Sequence, residues 1–363
     1  MIKVGFDRQT FWLQKYGGVS RYFADLMLGI MAFDDICPLP LFHWHQNQYL
    51  RKTYPGRPIP PGLARKYEKF MLRWSPQVEI STKVDIQHAT FYLGRPKMCH
   101  LSASLVSTIH DMTPEIMPEY FPKGNPHQDK LNWLNASDLI ISNSNSTARD
   151  LCSLYPHLEA KIKTVHLCSA FDAVVKPQRP ETMPNCCRSY FLVVGKRAGY
   201  KNMSMLYKAF ANSMPSTHGI SLILAGSGKP SASELAMLEE LKIQSYVHHV
   251  PVSDLELWYL YKSAVAILVP SLAEGFSLPL VEGLCADVPI ICSDIPVHRE
   301  IAHEYSHQIN PKSVDEWTDA IKNISLLKKP SETLLSQYQA RLRYYSRERM
   351  AHQHAQAYRE LVS

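Results

Sequence analysis

Nine short runs of apolar and β-branched residues recur along this chain, interleaved with stretches of helical period, and this alternation constrains the fold more than any other feature. In the first half the runs are 2–6, 84–87 (Val-Asp-Ile-Gln), 104–109 (Ser-Leu-Val-Ser-Thr-Ile), 138–142 and 162–166. In the second they are 190–195 (Tyr-Phe-Leu-Val-Val-Gly), 220–225, 264–269 and 288–292. Strands and helices in alternation predict an α/β chain on parallel sheets. Most runs end at Gly, Pro, Asp, Asn or His, residue types that suit the loops where such folds bind ligands. Between the two sets, Lys176-Pro177-Gln178-Arg179-Pro180-Glu181-Thr182-Met183-Pro184 carries three prolines, which forbid a regular element. With 363 residues to distribute, the expected organisation is two domains, 1–170 and 189–340, joined by a linker at 171–188. A charged helical tail, 341–363, is free to cross back to the first domain.

The opening Met1-Ile2-Lys3-Val4-Gly5-Phe6-Asp7 reads as a strand, without the charged stretch, apolar stretch and cleavage site of an export signal. No run of about 18 apolar residues predicts a membrane span. Eight cysteines include the adjacent pair Cys186-Cys187 but no C-x-x-C, which suggests neither zinc nor a redox pair. Free thiols in a cytoplasm are the expectation. A net charge of +6 favours anionic ligands only weakly.

The richest stretch is Val269 to Gly283. A strand ends at Val269, a loop carries Glu274-Gly275-Phe276, Ser277 is placed to cap a helix opening at Leu278, and Pro279 fits its first turn. Glu274 then sits at the ligand edge of a sheet and Glu282 on the helix after it. Each carboxylate can accept two hydroxyl hydrogen bonds, which the vicinal diols of a sugar or ribose demand. Isolated glutamates are more often solvated; the glycine beside Glu274 at this edge argues for a ligand.

Gly195-Lys196-Arg197-Ala198-Gly199-Tyr200-Lys201-Asn202 follows the first strand of the second half and leads into a helix near Asn202. Arg197 as a planar fork and Lys201 as a point charge can converge on a diphosphate, helped by the helix N-terminus. Gly226, in Gly226-Ser227-Gly228, suits a nucleotide contact or a plain turn equally. Gly17-Gly18 opens a helix whose apolar side is Tyr22, Phe23, Leu26, Met27 and Ile30, and suits equally a close approach of backbone amides to an anion or sugar and a plain flexible loop. His110, at the end of 104–109, can bond a sugar hydroxyl, and Asp85 and His88 carry a weaker form of that argument. Leu63, Tyr67, Phe70, Met71 and Trp74 share one helical face, with Arg65, Lys66, Lys69 and Arg73 around it. That pattern suits an anionic membrane surface, or a surface helix packed on the domain core. No Walker loop, H-E-x-x-H, G-x-S-x-G or strand-flanked D-x-D occurs, so neither a metal nor another cofactor is expected.

Glu274, seven residues and Glu282, with Gly-Phe and Pro-Leu between, resembles the E-x7-E signature of retaining glycosyltransferase family 4. Gly17-Gly18-Val19, His110-Asp111, Ser142-Asn143-Ser144 and Gly195 to Asn202 follow in that family's order. The resemblance implies a GT-B fold, two Rossmann-like domains with parallel sheets facing a central cleft. Glu274 would bond the donor sugar, Glu282 the ribose, and Arg197 and Lys201 the diphosphate. Gly18 would lie near phosphates or acceptor and His110 near the sugar, with Gly17, Gly195, Lys196, Gly226, Gly275, Phe276, Ser277 and Leu278 in the donor-binding set. Many members have Gly-Arg where this chain has Gly195-Lys196, so either Lys196 or Arg197 faces the diphosphate; Arg197 is favoured. His110 to Glu115 with Gly199 to Asn202 resembles bacterial surface-polysaccharide transferases, among which GDP-mannose is a frequent donor. The implied acceptor is a lipid-linked saccharide at the inner membrane face, with no role for nucleic acid. A UDP-sugar donor, a sugar-nucleotide epimerase and a catalytically silent partner protein are the competing readings.

Overall fold

Every strand pairing in both large sheets is parallel, each made by a crossover connection, most of them carrying a helix. The computed structural model describes residues 1–58, 82–100, 102–169, 171, 176–197, 199–217, 219–226, 228–324 and 342–363. Residues Met1–Cys168 with Tyr345–Ser363 form one unit, and Ser169–Tyr344 the other. The basic stretch with Arg65, Lys66, Lys69, Arg73 and Trp74 lies outside the described residues, as do Ala198 and Ser227.

In the first unit the chain runs β1 (Ile2–Phe6), α1 (Gln9–Leu13), α2 (Gly18–Ile30), β2 (Ile36–Pro40), β3 (Trp44–His45), β4 (Arg57–Pro58), β5 (Ile86–Ala89), β6 (Ser104–Ile109), α3 (Thr113–Ile116), α4 (Lys130–Ala136), β7 (Leu139–Ser142), α5 (Asn145–Leu154) and β8 (Ile162–Thr164). The sheet order is β2-β1-β5-β6-β7-β8, with β3 and β4 paired separately. The face predicted for α2, from Tyr22 to Ile30, is buried. The second unit runs β9 (Tyr190–Val194), α6 (Met203–Thr217), β10 (Ser221–Ala225), α7 (Ala232–Glu240), β11 (Val247–Val250), α8 (Asp254–Ser263), β12 (Ala266–Val269), α9 (Leu278–Ala286), β13 (Ile290–Ser293), α10 (Pro296–Ala302), β14 (His307–Ile309) and α11 (Val314–Lys322). Its order, β11-β10-β9-β12-β13-β14, starts in the middle, winds outward to one edge, then returns to wind outward to the other. Phe191, Leu206, Phe210, Leu222 and Trp317 fill its core, and burying a side chain such as Leu or Phe stabilises by about 1.5–3 kcal/mol.

The last helix, α12 (Arg347–Val362), packs on α2 in the first unit. A β-carbon at Gly29 would lie 2.7 Å from that of Ala351, so the close helix contact depends on glycine there. Polar bonds run through the same interface. Tyr358 Oη is 2.7 Å from His88 Nδ1, His88 Nε2 is 2.8 Å from Thr108 Oγ1, Thr108 Oγ1 is 3.1 Å from Tyr22 Oη, and Tyr22 Oη is 2.7 Å from His354 Nε2. His354 Nδ1 lies 2.8 Å from the Met350 carbonyl and must donate to it. His354 Nε2 is therefore an acceptor, and the one assignment that places a proton in every contact runs Tyr358 to His88 to Thr108 to Tyr22 to His354. Both imidazoles are neutral in that assignment.

Candidate active site

The carboxyl ends of β9 and β12 adjoin where the strand order reverses, the position at which open α/β sheets bind ligands. The loop after β9 carries Lys201 and the loop after β12 carries Glu274. The Leu272 amide donates to the Tyr200 carbonyl at 2.8 Å, and Lys201 Nζ donates to Glu274 Oε1 at 2.5 Å. Ser271 Oγ donates to that same oxygen at 2.7 Å. The structure thus brings a cation and a carboxylate together at the reversal point and fixes the carboxylate from two sides.

Gly195 and Gly226 end β9 and β10 at φ 107° and 80°, where a β-carbon is strained, and the Gly195 amide donates to the Ala225 carbonyl at 3.0 Å. Both glycines are thus required by the turns themselves. Lys196 is exposed just beyond. Arg197 Nε donates to Glu234 Oε1 at 2.7 Å and its Nη2 to the Gly228 carbonyl at 2.6 Å. Its Nη1 is buried without a partner among the described residues. Asn202, at φ 58°, donates from Nδ2 to the Pro311 carbonyl at 2.7 Å immediately before α6.

Gly275 and Phe276 are buried in the second loop, and Leu278 and Pro279 open α9. Ser277 precedes that helix as expected but does not cap it with its side chain. Its backbone is left-handed, φ 96° and ψ 72°, and its buried Oγ has no partner among the described residues. Glu282 is buried within α9 and accepts from Tyr261 Oη at 2.7 Å. Burial, with the Glu282 charge adding, holds the Tyr261 phenol far above its ordinary pKa, so it remains a donor.

In the first unit, Gly17 and Gly18 open α2, whose Ser20 amide is already satisfied by Gln14 Oε1 at 3.0 Å. His110 follows β6, with its carbonyl accepting from Asn143 Nδ2 at 2.7 Å. Burial drives its pKa to about 3, and Nε2 has no partner among the described residues. Lys130, which nothing in the sequence marked, is buried in α4 and holds this loop by donating to the Asp111 carbonyl at 2.8 Å and to Glu115 at 2.9 Å. Asp85 and His88 are not ligand-edge groups. Strand β5 starts at Ile86, leaving Asp85 at its amino end to accept from the Lys3 amide, and both His88 nitrogens are bonded internally.

Residues 177–349 match the family described as glycosyl transferases group 1. The O-antigen chain mannosyltransferase RfbU of Salmonella typhimurium is 32% identical over 143 residues, 38% of this chain and 39% of that protein's length. O-antigen chain mannosyltransferase B of Escherichia coli is 26% identical over 329 residues, 82% of this chain and 84% of that one. The Anabaena protein HepE, crystallised with UDP and glucose, superposes with a TM-score of 0.69 at 14% identity, covering 99% of this chain and 100% of that one. The fold is GT-B, and the chain resembles surface-polysaccharide mannosyltransferases.

One further residue of the second unit lies by the site and gave no sequence signal. His298, fully buried in α10, has its Nδ1 2.9 Å from the Ser293 carbonyl, and its Nε2 is without a partner among the described residues. Burial brings its pKa to about 4, with Glu274 opposing and Lys201 reinforcing the shift. The ring is neutral and Nε2 is a free acceptor. Strand β13, which leads into α10, is the neighbour of β12, so sheet topology rather than sequence spacing puts this imidazole near Glu274 and Lys201.

Proposed function

We propose that the chain transfers a hexose, mannose from GDP-mannose, onto a lipid-linked saccharide acceptor with retention of configuration. The observation that carries this reading is the contact between Lys201 and Glu274 at the strand-order reversal. Lys201 turns from Glu274 to the donor diphosphate, joined by Arg197 through Nη1, and Glu274 exchanges the ammonium for a sugar hydroxyl. Glu282, oriented by Tyr261, takes the ribose hydroxyls, and the acceptor nitrogen of His298 is available to a further hydroxyl. As the anomeric C–O bond to phosphate breaks, negative charge grows on the leaving diphosphate, and two cations placed on it act mainly in the transition state. The acceptor oxygen forms the new bond on the face the phosphate leaves, and its proton passes to a phosphate oxygen. No side-chain nucleophile and no metal is assigned a step. The choice of mannose is supported by the resemblance to O-antigen mannosyltransferases.

A thermal-shift series with GDP-, UDP- and ADP-sugars tests the donor. GDP-mannose is expected to raise Tm most, since a ligand at 100 times its Kd stabilises by about 2.7 kcal/mol. A larger shift with a UDP-sugar replaces the donor assignment, and no shift with any member removes it.

A further inference from the structure

Away from that site, the second unit gathers one more set of donors. The thiols of Cys186 and Cys187 and a ring nitrogen of His248 all lie within 4.8 Å of one another. The pair precedes β9, in a turn held by the Cys187 amide to the Pro184 carbonyl at 3.1 Å and the Arg188 amide to the Cys186 carbonyl at 2.9 Å. His248 lies near the amino end of the edge strand β11, which β10 joins to β9. The cluster therefore sits at the amino ends of these strands, whereas Lys201 and Glu274 follow the carboxyl ends. Cys187 is buried, His248 is half-buried and Cys186 is exposed, so one side is open for a ligand to enter. Neither cysteine is in a disulfide. His248 Nε2 is buried without a partner among the described residues, a condition that costs about 1–3 kcal/mol when nothing satisfies the atom.

Two thiols and one imidazole are the donor types zinc selects, at about 2.3 Å for sulfur and 2.0–2.1 Å for nitrogen. Donors sharing a tetrahedral shell at those lengths stand about 3.5–3.8 Å apart, so the gathered side chains need only small rotations. We infer that Cys186, Cys187 and His248 bind one zinc ion, with water completing the tetrahedron on the open side of Cys186. The ion ties the chain entering β9 to the edge strand β11, and so stabilises the second unit without touching the reacting groups.

The test uses the full chain, tag-free, reduced and stripped of metal. Cobalt(II) serves as the spectroscopic probe and zinc as its competitor. One equivalent of cobalt is expected to give thiolate-to-metal absorption and tetrahedral d–d bands, both abolished by one equivalent of zinc, and zinc is expected to raise Tm. Cys187→Ser and His248→Gln should each weaken zinc binding at least tenfold and remove the rise in Tm. Cys186→Ser, at an exposed position, tests the site even if the buried variants fold poorly. Absence of thiolate absorption, or zinc affinity unchanged in Cys186→Ser, overturns the site.

Discussion

Ser277 holds its backbone at φ 96°, where a residue with a β-carbon costs about 1–3 kcal/mol, and it buries a hydroxyl with no partner among the described residues. Ser277→Gly removes both penalties and is expected to stabilise by about 1 kcal/mol, or roughly 2–4 °C in Tm for a unit of this size. A branched side chain, as in Ser277→Val, should lower Tm instead. Differential scanning calorimetry separates the outcomes, and a lower Tm for the glycine variant would refute the strain. At this scale the sequence exposed the residue types and element positions of Glu274, Glu282, Arg197 and Lys201, because both can be read directly. It did not expose who bonds whom: Lys201 and Glu274 are 73 positions apart, and Arg197 finds Glu234 through a turn whose path depends on two glycines. His298 and Lys130 were missed for the same reason, since only folding brings a buried imidazole or ammonium to a loop.

Among elements, the long central strands were legible and the sheet edges mostly were not. Strand β2 contains two prolines in Ile-Cys-Pro-Leu-Pro, β11 reads Val-His-His-Val, and β14 has three residues. All three lie at sheet edges, where short, polar or proline-containing strands are tolerated because one side needs no partner. The helix pattern of α2 was equally plain and the tail's return to the first unit was expected, yet the proton chain from Tyr358 to His354 was not legible, because it joins residues from both ends of the chain. That chain gives a pH prediction. Burial pushes His354 down to about 4 and holds His88 well below the ordinary 6.5, with His354 and His110 adding to the latter shift. Folding favours the neutral rings, so their contribution is complete above pH 6.5 and is lost as pH falls towards 4. Over that window each such histidine removes about 1.4 kcal/mol per pH unit. Urea denaturation between pH 7.5 and 4.5 should show the decline, and His354→Gln should make it shallower. An unchanged slope in that variant would mean that His354 is not one of the titrating groups.

For the molecule as a whole, both units are wound on parallel sheets, and both present chemistry-bearing loops at the carboxyl ends of strands: Gly17-Gly18 and His110 in one, Lys201 and Glu274 in the other. The α/β architecture on parallel sheets followed from the alternation of runs, since strands separated by helices have few other ways to pair, and GT-B from the resemblance carried by Glu274 to Glu282. What the fold adds is the β11-β10-β9-β12-β13-β14 order, which makes β9 and β12 neighbours and turns two separate motifs into one ion-paired site. The central claim is that Lys201 stabilises the departing nucleotide diphosphate. It is tested most directly by measuring kcat/KM for hexose transfer from GDP-mannose to a lipid-linked saccharide, with mass-spectrometric detection of the product, for the wild type and Lys201→Ala, after matching Tm establishes that both are folded. The predicted result is a product heavier by one hexose and a loss of about 10²–10³-fold in the variant, the range for removing one donor from a developing anion. Undiminished kcat/KM in Lys201→Ala would contradict the claim.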